Sequence, residues 1–371
     1  MIGLTIDVIY CKHNALGGFM NKKTQIIKPL ICILIFISII VLLLVGCLNN
    51  YNYLKYEINS NGKTYTVVGY KGPENASVVI PETYRGRTVT AIADNAFKNA
   101  TITSITLHST IGSIGTGAFS GCTSLKAVYG LEKCDSLKQI REETFFICRS
   151  LEYICLPPNI TIIGDKAFVE CVALKNIGLP SGLQFIGFGA FGGCESLEEI
   201  IFPNSVIEIG PAAFALCNSL KEFTVPPFMS TATGDICVGC DNLVNIYAPE
   251  NSLNFSSIDG VLYDKYHRYI HLYPSGRQND SFTIPEGVTH ITATAFGYSN
   301  YLKEINIPKS IKFISNKIIY ESKKLEIINY SGTVEEWKSI NKDPAWDANS
   351  ADYTIYCTDG QIAKDGTVTY K

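Results

Sequence analysis

Thirteen cysteines in 371 residues are the first candidates for chemistry. Six of them, Cys122, Cys148, Cys171, Cys194, Cys217 and Cys240, recur almost evenly along the chain. Like positions on stacked strands lie about 4.8 Å apart, within the roughly 4.4–6.8 Å that a disulfide spans. Their side chains would all point the same way, which suits a bridge badly, so a column of free, buried thiols is expected. Cys237 and Cys240 form a C-x-x-C, but no second pair completes a four-ligand zinc set. His267 and His271 are four apart on an expected strand and would share one side, yet two ligands alone make a weak metal site. Nothing marks a nucleophile beside a histidine, and no glycine-rich phosphate loop follows a strand. Glu142–Glu143 and Glu198–Glu199 are carboxylate pairs. A glycosidase would need two carboxyls held at a set separation across a cleft, and these read instead as solvated surface. The expectation is therefore no enzyme, no metal and no cofactor.

The spacing of the cysteines belongs to a longer phrase. Ala118-Phe119 with Cys122 and Leu125 returns as Phe145 with Cys148 and Leu151, and as Phe168 with Cys171 and Leu174. It returns again at Phe191 and Phe214, in steps of 23 residues from Phe145 onward. A fixed period of this size marks stacked repeats. Counted by the Phe slot, the rungs are Phe97, Phe119, Phe145, Phe168, Phe191, Phe214, Cys237, Phe296 and Ile319, about nine in all. After the leucine each rung carries a short strand pattern ended by proline, as in Leu197, Ile200, Phe202 and Pro203. A second apolar pair follows before a glycine, as in Val206 and Ile209 before Gly210, where a tight bend is expected. One rung cannot bury its apolar side alone, so the columns should stack into one continuous core.

Two irregularities interrupt the period. Phe119 to Phe145 holds three residues too many, near Gly130–Asp135, which reads as a surface loop. Between Cys237 and Phe296 lie 59 residues, and runs on either side of Asp264–Arg268 read as an inserted β-hairpin. Its tyrosines, Tyr247, Tyr263, Tyr266, Tyr269 and Tyr273, are expected to pack the insert onto the rungs rather than to face a ligand. At the C-terminal end Thr333 and Glu336 form a capping-box pattern opening a short helix that buries Trp337 and Ile340. Asp359-Gly360 and Asp365-Gly366 mark hairpin turns.

Residues Ile26 to Val45 are almost wholly apolar and follow Lys22 and Lys23. The run ends in Leu44-Val45-Gly46-Cys47, which resembles a bacterial lipobox. That resemblance implies cleavage after Gly46 and lipidation of Cys47. An uncleaved spanning helix remains the alternative, since the run is long enough to cross a bilayer. Either way the rest of the chain is exported, and Met20 is the expected start, because residues 1–19 look unlike a signal n-region. The expected organisation is a signal segment over 1–47, a strand-rich N-terminal cap over 48–95, and a solenoid over 96–330. The solenoid carries an insert at about 247–283, and a cap over 331–371 closes it.

The Ala-Phe-x-x-Cys-x-Ser-Leu phrase, the Ile-x-Leu-Pro strand and the Ile-Gly bend resemble the BspA-like class of bacterial leucine-rich repeats. Ser257–Tyr263 resembles an insert of that class, and Tyr330–Thr333, Glu336-Trp337 and Tyr356–Gly360 resemble its closing module. The resemblance implies a mainly β leucine-rich-repeat solenoid at the cell surface that binds proteins, as adhesins and co-aggregation factors do, with no catalytic residues. Strand alternation puts Tyr153, Asn176, Glu199, Glu222, Asn245, Tyr247, Glu304 and Asn306 on the outward face, as candidate contacts for a protein or glycan outside the cell. The net charge of -3 gives no basic excess for a phosphate backbone, so nucleic acid is not an expected partner. An envelope scaffold without a specific ligand is the second class to weigh. An envelope-polymer hydrolase is the third, and no coherent set of residues favours it.

Overall fold

The computed structural model describes residues 53–230 and 235–371. The expected signal segment, Cys47 and the Met20 start lie outside the described residues. The chain winds as a solenoid, crossing the body twice per rung, and where a crossing forms a strand it pairs in parallel with its counterpart in a neighbouring rung. The first ladder runs through Ser77–Val79, Ser104–Thr106, Ala127–Tyr129 and Tyr153–Ile154. It thins to a single bridge between Cys155 and Gly178, where Gly178 adds no side chain to the pleated surface. It resumes with Glu222–Thr224 beside Asn245–Tyr247. The second ladder stacks Gln139–Ile140, Ile162–Ile163, Phe185–Ile186 and Glu208–Ile209. Ile140, Ile163, Ile186 and Ile209 all point into the core.

Two columns fill that core. Phe97, Phe119, Phe145, Phe168, Phe191 and Phe214 stack with ring centroids 5.1–5.3 Å apart, capped at the first rung by Tyr70. That separation lies within the favourable range for offset rings. Beside it stands the cysteine column. Each thiol donates to the carbonyl of the phenylalanine one rung back: Cys148 to Phe119, Cys171 to Phe145 and Cys194 to Phe168, each at 3.2 Å. Ser322 makes the same bond to Phe296 at 2.6 Å, so the slot selects a small donor rather than sulfur as such. Where Cys237 replaces the ring, Phe202 and Phe223 meet Phe214 edge-on.

The turn around each phenylalanine places a left-handed residue two before it and two after it. Lys166 and Glu170 flank Phe168 in this way, and Ala212 and Leu216 flank Phe214. The glycine closing the second crossing has a reason other than the expected bend. Gly187 and Gly210 do not have positive φ. A Cβ at Gly210 would stand 2.7 Å from the backbone of Gly187, and one at Gly187 would stand 2.6 Å from the nitrogen of Asp165. Rungs approach so closely there that no side chain fits.

The insert is a three-stranded antiparallel meander, Phe255–Ile258, Val261–Asp264 and Tyr269–Leu272. Its last strand joins the second ladder beside His290–Ile291, Phe313–Ile314 and Asn341–Lys342. The first ladder restarts at Ser281–Thr283 and continues through Glu304–Ile307, Ile327–Tyr330 and Thr354–Tyr356. The expected single core is therefore corrected to two. Phe255, Leu262 and Leu272 face the rungs before the insert, whereas Val261, Tyr263, Ile270 and Tyr273 face those after it. Alternation along Val261–Asp264, with a register shift against Tyr269–Leu272 that sends Ile270 and Leu272 to opposite sides, makes the meander a partition with one apolar face for each core. Of the insert tyrosines Tyr263 and Tyr273 are buried as expected, Tyr269 stacks on His290 of the following rung, and Tyr247 and Tyr266 remain exposed. At the C-terminal end Thr333 caps the helix Val334–Ser339 in a full capping box with Glu336, and the two closing hairpins form.

Candidate functional site

The cysteines and histidines are accounted for by packing. All six column cysteines are buried, and burial pushes the Cys122 and Cys194 thiols up to about 12. A thiol held protonated in this way is a hydrogen-bond donor and a poor nucleophile. Cys237 and Cys240 are both buried, and Cys240 donates to the Phe214 carbonyl at 3.1 Å. His267 sits in the turn with φ 56° and packs edge-on to Tyr263, so it does not share a strand with His271. His271 is wedged between Phe255 and Tyr269, and burial lowers it to about 4. Among the described residues no cluster of three or more His, Cys, Asp or Glu side chains could hold a metal ion.

What remains is the outward face of the first ladder. Tyr153, Asn176, Glu199 and Glu222 are exposed there, Tyr247 is 38% exposed, and Asn245, Glu304 and Asn306 are half-buried. The eight do not form one surface, because the insert separates the ladder carrying Asn245 from the one carrying Glu304. Asn176 and Glu199 line an open groove of about 620 Å³ with Lys175, Glu198, Ser219 and Lys221. Both signs of charge stand within it. Tyr247 donates to Glu222 at 3.3 Å, which ties two candidates into one patch.

Beyond the insert the candidates are spent on each other. Asn329 donates to Glu304 at 2.8 Å and to Asn306 at 2.9 Å, and Asn306 donates to Thr283 at 3.1 Å. This lateral chain staples successive rungs, so Glu304 and Asn306 have less capacity left for a partner than Glu199 or Glu222. Sequence reasoning missed Asn329, although it occupies the outward slot next to Asn306 in register. It also missed the exposed Tyr129 and Ile201, which hold the same slot in earlier rungs. The signal was present in the alternation, since Tyr129, Ile201 and Asn329 fall four residues after the repeat leucine just as Tyr247 and Asn306 do.

The comparisons with known proteins agree with this architecture. Six copies of the BspA type leucine-rich repeat region match residues 90–157, 138–260 and 274–341. A leucine-rich repeat protein from Bacteroides ovatus is 28% identical with a TM-score of 0.60, covering 75% of this chain and 70% of that one. A leucine-rich cell surface protein from Faecalibacterium prausnitzii shares the fold at 24% identity and a TM-score of 0.63, over 78% of this chain and 96% of that one. The pneumococcal vaccine antigen PcpA shares it at 20% identity and a TM-score of 0.54, over 81% and 84% of the two chains. No curated protein matches. With repeats of one type matched over more than half of its length, the chain belongs to the BspA-type leucine-rich repeat family.

Proposed function

We propose that this protein is an exported, membrane-anchored binding protein, adhesin-like, which holds a protein or glycan against the outward face of its first ladder. The observation that carries the reading is a stack of rungs whose outward side chains Glu199, Glu222 and Tyr247 are exposed while the apolar residues beside them, Ile200, Phe223 and Ile246, are buried. Glu199, Glu222, Tyr247 and the mixed-charge groove beside them stand on a backbone that does not need to be ordered on binding, which lowers the entropy cost of recognition. The surface is open and polar rather than an enclosed apolar cavity, and that suits a macromolecule better than a small molecule. Surface display rests on the lipobox-like Leu44–Cys47 and on the cell-surface description of the Faecalibacterium relative. Among the described residues no helix is long and apolar enough to cross a membrane.

The test is an array of matrix proteins, bacterial surface proteins and glycans probed with the protein. A saturable hit weakened about tenfold by Glu199→Lys and Glu222→Lys supports the reading. Binding that survives both reversals rules out this face, and a blank array with folded protein favours a scaffold without a specific ligand. Anchoring is checked separately, because Cys47→Ala should abolish incorporation of labelled palmitate.

A further inference from the structure

We propose that a second groove on the first ladder, between Tyr129 and Tyr153, is a binding site for a neutral saccharide stacked on the two tyrosine rings. The proposal rests on the binding reading above and names the ligand class for a different part of the same sheet. Tyr129 is 58% exposed and Tyr153 is 56% exposed, the most open aromatic rings on this ladder. In the parallel register Tyr153 lies opposite Ala127, and Cys155 then falls beside Tyr129. Small residues thus floor the space between two diagonal rings, whose Cα atoms lie about 8 Å apart from strand spacing and rise. The Tyr153 hydroxyl lies against the Cys155 sulfur, so the ring leans along its own strand toward the groove floor.

The three extra residues of this rung build the wall. They fold as a 3-10 turn, Leu131–Lys133, with Leu131 and Cys134 buried beneath it. The Cys134 thiol donates to the His108 carbonyl at 3.3 Å. At Gly130 the chain turns with φ 77°, and a Cβ there would meet the Leu107 carbonyl oxygen at 2.2 Å. The wall is therefore anchored rather than loose, and it encloses an open groove of about 700 Å³ with Thr106, Ser109, Glu132 and Lys133.

Three physical arguments select the ligand. The strand Ala127–Tyr129 is paired on both sides and Cys155 is bridged to Gly178, so the backbone between the two rings is already engaged and recognition there falls to side chains. Glu132 and Lys133 carry opposite charge side by side, so the groove offers no net attraction to a charged chain. Open aromatic faces beside hydroxyl, carboxylate and ammonium groups match a ligand with apolar C–H faces and a hydroxylated rim.

The experiment uses the full chain in detergent on immobilised hexasaccharides of glucose, mannose, galactose and N-acetylglucosamine. The expected result is saturable binding to at least one, weakened at least about tenfold by Tyr129→Ala or Tyr153→Ala and kept by Tyr153→Phe. Saturating sugar should also slow alkylation of Cys155 by iodoacetamide, read by peptide mass spectrometry. If no hexasaccharide binds while a protein on the array does, the saccharide assignment falls and the general binding reading stands. If a sugar binds equally to both alanine variants and leaves Cys155 labelling unchanged, the site is wrong. If nothing binds at all, both readings fall.

Discussion

Replacing Cys171 with alanine and, separately, with serine tests what the cysteine column is for. Its thiol is fully buried and donates to the Phe145 carbonyl at 3.2 Å. That carbonyl also accepts the Cys148 amide at 3.2 Å, so alanine leaves one of two bonds in place. The lost bond is worth about 1 kcal/mol. The space left by sulfur, roughly one methylene in size, costs about 1 kcal/mol more. Alanine should therefore destabilise by about 2 kcal/mol. Serine restores the donor, as Ser322 does toward Phe296, and should cost about 1 kcal/mol or less. Urea unfolding under reductant measures both, provided the slope m is unchanged. If serine proves as damaging as alanine, or if alanine is neutral, the carbonyl bond is not what the slot selects.

Four further outcomes follow from the same geometry. Thiol labelling of the unfolded, unreduced protein should find the six column cysteines free, and a count near zero would refute the donor role. His271 stays neutral in the folded state down to about 4 against 6.5 in the unfolded chain. Its contribution is thus complete above about pH 6.5 and is lost as pH falls toward 4, by up to about 1.4 kcal/mol per pH unit. His271→Gln should flatten that acid limb in urea midpoints taken at pH 7.5 and pH 5. Phe191→Ala, which empties the middle of the ring stack, should cost about 3–5 kcal/mol in the same assay. Ala212→Gly should stabilise by about 1 kcal/mol, because Ala212 holds the left-handed slot that Gly189 occupies one rung earlier.

The inward residues were legible because they repeat. Phe168, Cys171 and Leu174 recur at one period, and a side chain that returns every rung must meet its own copies in the stack. The capping box at Thr333 and Glu336 was legible because both partners lie within one helical turn. The glycines were placed correctly for the wrong reason. Sequence shows where Gly187 and Gly210 fall, whereas the approach of neighbouring backbones, which would leave a Cβ at Gly210 only 2.7 Å from Gly187, appears only when rungs are stacked. The insert was recognised as a hairpin, but its two-faced burial was not, since a run such as Val261-Leu262-Tyr263 does not reveal that a core waits on each side.

The sequence by itself determined the solenoid, its period, its inward columns and its family, because these depend on local pattern and repetition. The tertiary structure decided which outward residues are free to meet a partner. Glu304 and Asn306 share the alternation of Glu199 and Glu222, yet Asn329 from the next rung consumes their hydrogen bonds. Tyr129 gained its groove from three residues that broke the repeat. A surface is made by neighbours distant in the chain, so the same slot in the repeat can be a contact in one rung and a staple in another.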